Sequence, residues 1–241
     1  MKLILFLALF LSNILAYSNP LIVGVGQFAP PFSSSIGNSS HYFGFCIDLM
    51  NELCARMHET CQYKATELGQ QQINDLRQEI IDITFLTKPI TLNNNTDYLY
   101  SLPYIPSSGQ FLTLNNSNLS SLEALTGKKI GVIAATSLKN TFLAKYSDPN
   151  NIYEYDNITD MMAALNSHQI DAVLMNSSVA KYAVNNIGRL KLLGQPMQLG
   201  MGYGIIALRK NAALINKINK ALLQIEADGT YTRIYNKYFG N

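Results

Sequence analysis

The stretch GFCIDLMNELCARMHETCQYK, residues Gly44–Lys64, joins a helical pattern to the start of a strand. A helix is predicted over 43–57, because apolar residues recur there at helical spacing, at Phe45, Leu49, Leu53 and Met57. A short strand is predicted after Cys61, and the apolar run LIVGVG at Leu21–Gly26 predicts another strand before the helix. The order strand, helix, strand is the unit from which α/β folds are built.

The same alternation continues along the chain. Helical patterns occupy 71–77, 159–167, 178–185 and 212–227, the last ended by Gly229, and strand patterns occupy 80–86, 171–175 and 203–210. The stretch GKKIGVIAATS, Gly127–Ser137, predicts a strand that runs into a turn, with Ser137 as a helix N-cap. This alternation favours a parallel sheet covered on both faces, and 241 residues fit two such α/β units better than one large core. Two units leave a cleft between them, and clefts are where ligands bind.

The first residues, MKLILFLALFLSNILAYSNP, have the pattern of a secretory signal peptide: Lys2, an apolar run over Leu3–Leu11, then small and polar residues. We expect residues 1–18 to be removed, with cleavage after Ala16 or Ser18, and the mature protein to be soluble in the periplasm. The formal net charge is +2, and loss of Lys2 leaves +1. So small a charge gives no reason to expect nucleic acid or an anionic membrane as a partner.

All three cysteines, Cys46, Cys54 and Cys61, lie in the opening stretch. In an exported chain a cysteine pair is a disulfide candidate before it is a metal site. The metal alternative would add His58, but no further Cys or His lies close enough in sequence to complete a ligand set. Cys46 lies more than two helical turns before Cys54, so we interpret it as a small buried apolar residue. The stretch is interpreted as a staple that ties a helix end to the following strand.

Six stretches, in this order and spacing, resemble the polar amino-acid family of periplasmic solute-binding proteins: LIVGVGQFAPPF, GFCIDLMNELCARM, SLPYIPSSGQFL, SLEALTGKKIGV, IDAVLMNSSVA and INKALLQIEADGTYTRIYNKYFG. The resemblance extends from about Leu21 to the C-terminus. The spacing of Cys54 and Cys61 further resembles the branch that binds histidine, arginine, lysine and ornithine, whose members carry a disulfide at this place.

The resemblance implies an α/β, two-lobed periplasmic binding protein fold of type II, with two crossover strands between the lobes. Lobe one would comprise 20–107 plus 201–241, and lobe two 108–200. Ligand binding would close the two lobes about a hinge, and the closed form would dock on the membrane permease of an ABC transporter. We therefore expect a monomer that binds a small polar ligand, an amino acid or a derivative, without catalysis, cofactor or metal.

The charged positions of the family's ligand site are uncharged in this chain. The Arg that grips the ligand α-carboxylate corresponds to Asn94, and the Asp that takes the α-ammonium group corresponds to Asn176. The acid and the aromatic residue that follow the first strand in cation-binding members correspond to Gly26 and Ala29. Removing the partner of a buried charge typically costs about 3–5 kcal/mol, or roughly 2–4 powers of ten in affinity. The departures predict weak or absent binding of an ordinary zwitterion, so the ligand need not be a free α-amino acid.

The remaining candidate ligand contacts are apolar or neutral, with one exception. Lys88, near a strand end, is either a cation for the ligand or a solvated side chain. The turn with Thr136 and Ser137 matches the family and would offer N–H and hydroxyl groups to an anionic or carbonyl oxygen. Uncharged hydrogen bonds would also come from Thr87, Asn94 and Asn176.

Two phenylalanines, Phe28 and Phe32, flank the Pro30–Pro31 turn. Each is either a wall for the ligand or part of the packing within a lobe. Tyr104 is interpreted as a support for the hinge.

Two other functions stay open from the sequence. One is a periplasmic dehydratase of the cyclohexadienyl type on the same scaffold, and the other is a degenerate scaffold that binds a protein partner. A dehydratase needs an acid or a base in the cleft, and the candidate positions Gly26, Asn94 and Asn176 offer neither. The histidines are expected to be solvated rather than catalytic: His41 in a polar loop, His58 at a helix end and His168 in a turn.

Overall fold

The computed structural model describes residues 19–37, 40–85, 89–90, 97–134, 136, 138 and 148–240. The helices within these residues are α1 Phe45–Met57, α2 Gln70–Arg77, α3 Ile158–Asn166, α4 Ser177–Asn186, α5 Ala212–Ala227 and α6 Thr230–Phe239. The strands are β1 Leu21–Gly26, β2 Phe28–Ala29, β3 Ser33–Ser35, β4 Tyr42–Phe43, β5 Cys61–Thr66, β6 Ile83–Thr84, β7 Tyr98–Tyr100, β8 Ser108–Leu114, β9 Ile130–Ile133, β10 Ile152–Tyr155, β11 Ala172–Asn176, β12 Leu190–Gln198 and β13 Ile206–Leu208. Within the described ranges, none of the helices has the length and apolar character that a membrane span requires.

Two five-stranded sheets organise the chain into two α/β lobes. The sheet of lobe one has the order β5-β1-β6-β13-β7, and the sheet of lobe two has the order β10-β9-β11-β8-β12. A small sheet, β2-β3-β4, belongs to the segment between β1 and α1. The α/β class and the two units predicted from the sequence are confirmed, whereas the exact limits of the lobes stay a prediction.

The prediction of parallel sheets holds for the direction of four strands in each sheet and is wrong for one, because β13 and β8 run opposite to both of their neighbours. The strand β1 runs parallel to β5 and β6, and β9 runs parallel to β10 and β11. The pairs β13·β6, β13·β7, β8·β11 and β8·β12 are antiparallel. These antiparallel strands lie next to the segments in which the chain crosses from one sheet to the other. Such segments contain no helical crossover, which two neighbouring parallel strands would need between them.

Helix α1 forms the centre of the lobe-one core, as its apolar spacing predicted. Phe45, Leu49 and Leu53 are fully buried, and the Phe45 ring lies 5.1 Å from that of Phe239 in α6. The helix begins after Gly44, which has a φ of 129°. A Cβ atom added there would lie 2.5 Å from the Phe32 carbonyl oxygen, so only glycine fits this position. The sequence interpretation did not predict α6, although its aromatic residues recur at helical spacing.

The predicted staple is present. Cys54 in the last turn of α1 forms a disulfide with Cys61, the first residue of β5. Cys46 is a free, buried thiol, and burial raises its pKa well above the usual range despite a hydrogen bond with Tyr104. Both features of the cysteine interpretation are therefore confirmed.

Two predicted strands are shorter in the structure than in the sequence pattern. The amides of Ile80 and Ile81 donate to the Asp75 carbonyl at the end of α2, so β6 begins only at Ile83. At the other strand, Tyr203 pairs with Ile105 rather than with the sheet, so β13 begins at Ile206. In both cases a local hydrogen bond withdraws backbone groups from the ladder.

The two chain segments that connect the lobes lie side by side. The amide of Tyr203 donates to the Ile105 carbonyl at 2.9 Å, and the amide of Leu199 donates to the Ser107 carbonyl at 2.7 Å. The hydroxyl of Ser107 is buried, donates to the Leu199 carbonyl and accepts a hydrogen bond from the Gly202 amide at 3.0 Å. Tyr104 is buried beside them, and its amide donates to the Tyr203 carbonyl at 2.9 Å. This position suits the hinge role predicted for Tyr104.

Candidate functional site

A cavity of about 240 Å³ lies between the two lobes. Pockets for drug-sized ligands have volumes of roughly 300–1,000 Å³, so this space suits a smaller molecule. The lining is mostly apolar and comes from lobe one, from lobe two and from the second connecting segment. The described residues that line it are Phe28, Ala29, Pro30, Phe32, Leu68, Gly69, Ile133, Thr136, Leu138, Asp156, Asn157, Ile158, Met161, Leu174, Met175, Asn176, Val179 and Tyr203.

The cavity lies at the carboxyl ends of parallel strands. Phe28 follows β1, Thr136 follows β9, and Asn176 is the last residue of β11. In open α/β sheets the loops at these strand ends form the usual ligand crevice, because adjacent helices leave space there. The location of the cavity thus follows from the topology of both sheets.

The structure distinguishes the two phenylalanines that the sequence left equivalent. Phe28 is 61% exposed and lines the cavity. Phe32 is only 4% exposed, and its ring lies 5.9 Å from Phe239 and 6.5 Å from Phe45. Phe32 reaches the cavity wall, but most of its contacts are with the lobe-one core. Phe28 is therefore the better candidate for contact with a ligand.

Asn176 lines the cavity and also caps a helix. Its Oδ1 accepts a hydrogen bond from the Ser178 amide at 2.8 Å, which satisfies one of the free amides at the start of α4. Its side-chain amide also hydrogen-bonds the hydroxyl of Tyr203. Burial raises the pKa of Tyr203, and the Asn176 hydrogen bond partly opposes that rise. Asn176 thus links lobe two to a connecting segment.

Thr136 is half-buried in the cavity wall, and its contact with a ligand stays a prediction. Its hydroxyl donates to the Ile133 carbonyl at 2.9 Å, so its oxygen remains available to a ligand mainly as an acceptor. The other predicted contacts, Thr87, Lys88, Asn94 and Ser137, lie outside the described residues.

The wall next to Gly26 is filled by an apolar side chain. A Cβ atom added at Gly26 would lie 2.7 Å from Cδ2 of Leu68, which is closer than real Cβ contacts allow. Ala29 also lines the cavity. Leu68 and Ala29 therefore present an apolar surface to the cavity at this place.

Asp156 is a site residue that the sequence interpretation missed. It directly follows β10 and precedes Asn157, the N-cap of α3, and it is exposed. Among the described residues that line the cavity, it is the only one with a formal charge. The sequence interpretation named only Lys88 as a charged candidate. The available signal for Asp156 was its place at the carboxyl end of a strand parallel to β9.

A second compartment of about 480 Å³ adjoins the cavity and shares four of its lining residues, Phe28, Leu68, Ile133 and Asp156. We call it the outer compartment. Its other lining residues are Gln27, Ala65, Thr66 and Glu67. Carboxylates from both lobes, those of Glu67 and Asp156, therefore belong to this compartment.

The described part of the chain contains no group of three or more His, Cys, Asp or Glu residues arranged to hold a metal ion. His41, His58 and His168 are exposed, and none of them lines either compartment of the cleft. The described cleft therefore offers hydrogen-bonding groups, apolar contact and two carboxylates, those of Glu67 and Asp156.

Comparison with known proteins gives consistent results. Residues 21–241 match the bacterial extracellular solute-binding proteins, family 3. A putative ABC transporter arginine-binding protein 2 from Escherichia coli K12 is 28% identical over 87% of this chain and 86% of its own length. The histidine-binding periplasmic protein of the same strain is 26% identical over 97% of this chain and 96% of its own. The crystal structure of an arginine 3rd transport system periplasmic binding protein from Legionella pneumophila is 38% identical, with a TM-score of 0.81, and covers 92% of this chain and 100% of that chain.

Proposed function

Because this chain belongs to the bacterial extracellular solute-binding proteins, family 3, we propose that its ligand is an amino acid or a derivative bound in the cavity between the lobes. The family and the relatives confirm the interpretation as a substrate-binding protein of an amino-acid ABC transporter and its resemblance to the histidine and arginine branch. They are binding proteins, so this chain is not an enzyme, and the dehydratase alternative gains no support.

One observation carries the proposed site. Both lobes and the connecting segment contribute to a single cavity, so a ligand there would contact groups that move relative to one another when the lobes close. Such a ligand binds the closed state more tightly than the open one, and this difference in affinity is what drives closure. The proposed lobe limits, 20–107 plus 201–241 and 108–200, are supported by the membership of the strands in the two sheets.

The individual residues that we propose to contact the ligand rest on different evidence. Phe28, Thr136 and Asn176 line the cavity, and Phe32 forms its inner wall. Thr87, Asn94 and Ser137 are proposed from the sequence alone as uncharged hydrogen-bonding groups, and Lys88 as a cation for the ligand.

Release of the natural ligand tests the proposal. Purified protein is denatured, and the small molecules that it releases are identified by mass spectrometry and returned to unliganded protein in a calorimeter. The variant Ala29→Trp fills the cavity and should abolish binding, whereas the control Ile36→Trp places the same side chain at a position that is 70% exposed and outside the cleft. Equal binding by both variants would refute the cavity as the site. Recovery of no amino acid or derivative would refute the ligand class.

The remaining partners and the location are also proposed. We expect a monomer that docks on the permease of an ABC transporter in its closed form and does not bind nucleic acid. We expect residues 1–18 to be removed on export to the periplasm. Several relatives are named as periplasmic proteins. N-terminal sequencing of the exported protein tests the cleavage after Ala16 or Ser18.

A further inference from the structure

Building on the proposed function, we propose that Gln72 is a positioning residue of the ligand site, which holds the loop of residues 67–69 in place without contacting the ligand itself. We call residues 67–69 the rim loop. Leu68 and Gly69 line the cavity, and Glu67 and Leu68 line the outer compartment, so the rim loop is part of the lobe-one wall of the cleft. Gln72 lines neither space.

The rim loop has little restraint of its own. Glu67 is exposed, and the Leu68 side chain is 46% exposed. Gly69 has a φ of 88°, a conformation that glycine adopts readily because it lacks a Cβ atom. Keeping such a loop in one conformation costs conformational entropy, which contacts with other elements must offset.

Helix α2 holds the rim loop at both ends. On one side, the hydroxyl of Thr66, the last residue of β5, donates to Oδ2 of Asp75 at 2.6 Å. On the other side, the amide of Gly69 donates to Oε1 of Gln72 at 3.2 Å. Thr66, Asp75 and Gln72 are all buried, so both hydrogen bonds lie beneath the loop rather than in solvent.

Gln72 also fixes the rim loop relative to the sheet. Its Nε2 donates to Oγ1 of Thr84 at 2.8 Å and to the Phe85 carbonyl at 3.4 Å. Oγ1 of Thr84 in turn donates to the Gly24 carbonyl at 2.9 Å. One side-chain amide therefore connects the rim loop to β6 and, through Thr84, to β1, two inner strands of the lobe-one sheet.

Anchoring of the helix alone does not require an amide at this position. Ile73 and Leu76 are buried beside Gln72, and an apolar side chain at position 72 would pack with them. Gln72 is only 1% exposed, and burial of an amide costs free energy unless its groups are hydrogen-bonded. The bonds that offset this cost lead to the rim loop and to β6, which is the arrangement that a positioning role requires.

The consequence of this arrangement concerns affinity. A ligand in the cavity meets the lobe-one wall only in molecules whose rim loop is in place, and the apparent Kd rises by the inverse of that fraction. Loss of the Gln72 hydrogen bonds lowers the fraction. The bond to Gly69 also caps α2, as a glutamine at the third helical position does, so a change in stability would not by itself identify the role.

The test uses Gln72→Met, which keeps the length of the side chain and removes its hydrogen bonds. Hydrogen exchange of the Gly69 amide, followed by NMR, should become faster. The calorimetric affinity for the two probes, L-arginine and L-glutamine, should fall by roughly 2–10-fold, the effect of losing a neutral hydrogen bond. Thr66→Val removes only the hydroxyl that bonds Asp75, so it should act in the same direction and serves as the test if Gln72→Met does not fold.

Gln110→Met is the matched control. Gln110 is also 1% exposed, and its Nε2 donates to the carbonyls of Leu193 and Gly194, both at 2.9 Å, in lobe two. It lines neither compartment, so the control should lower Tm without changing the exchange of Gly69 or the affinity.

Three outcomes would overturn the role of Gln72: a lower Tm with unchanged affinity in Gln72→Met, an equal loss of affinity in Gln110→Met, or no binding of either probe by the wild type. The mass-spectrometric release of an amino acid or derivative would still support the proposed function in those cases, so the two failures are distinguishable.

Discussion

The two phenylalanines beside the Pro30–Pro31 turn provide a test of how the structure assigns roles. Phe32→Ala removes a ring that is 4% exposed and packs against Phe45 and Phe239. Truncation of a buried Phe to Ala costs about 3–5 kcal/mol of unfolding free energy. For a chain of this size each kcal/mol lowers Tm by about 2–4 °C, so we expect a decrease of roughly 6–20 °C.

Phe28→Ala should behave in the opposite way. Its ring is 61% exposed, and substitutions at exposed positions usually change the unfolding free energy by less than about 0.5 kcal/mol. It should instead weaken ligand binding by roughly 2–10-fold, because an aromatic contact contributes about 0.5–1.5 kcal/mol. Phe43→Ala is the control, since Phe43 is 51% exposed but lies outside the cleft.

Urea denaturation of the unliganded variants, followed by circular dichroism, gives the stabilities, and calorimetry gives the affinities. If Phe28→Ala destabilises the protein as much as Phe32→Ala, or binds ligand as well as Phe43→Ala, the assignment of the two rings is wrong. A loss of less than about 1 kcal/mol in Phe32→Ala would contradict the packing argument.

Three further predictions concern the staple, the hinge and the α-amino-acid end of the site. Replacing Cys54 and Cys61 with serines should lower the unfolding free energy by about 2–3 kcal/mol, according to the loop-closure relation. Thiol counting on denatured, unreduced protein should find one free thiol, that of Cys46. Three free thiols would contradict the disulfide. Small-angle scattering should show a smaller radius of gyration at ligand saturation, and an unchanged radius would argue against closure of the lobes. Asn94→Arg with Asn176→Asp should raise the calorimetric affinity for free amino acids without disturbing α4, because Asp caps a helix as well as Asn does; an unchanged affinity would reject the alignment.

Local patterns predicted the parts of the fold that depend on local interactions. The helix α1 and its disulfide follow from apolar spacing and cysteine spacing within one stretch of chain. The antiparallel strands were not predicted, because their direction is set by the return of the chain through a segment such as Ile105–Ser108, far in sequence from Leu199–Tyr203. No sequence pattern within either segment indicates that the two segments pair with each other.

The candidate site was predicted less completely than the fold. Thr136 was identified because it matches the family pattern, and Asn176 because it replaces an Asp with a defined role in that pattern; both line the cavity. Asp156 was missed because no motif or hydrophobic pattern marks its position in the sequence. It becomes a site residue only through the parallel pairing of β10 with β9, which places the end of β10 at the cavity.

The position of Gly26 shows why a residue-by-residue comparison with the family does not reveal which residues give the cleft its negative charge. Leu68 occupies the space that a side chain at position 26 would need, so an acid there would require the exposed Leu68 side chain to move. Asp156 supplies a carboxylate to the same cavity from the opposite lobe, so the negative charge of the cleft has a different origin rather than being lost. A charge on lobe two acts on a ligand held by lobe one only as the lobes approach. We therefore expect its interaction free energy to stabilise the closed state more than the open one, and the charge of the ligand to be coupled to closure.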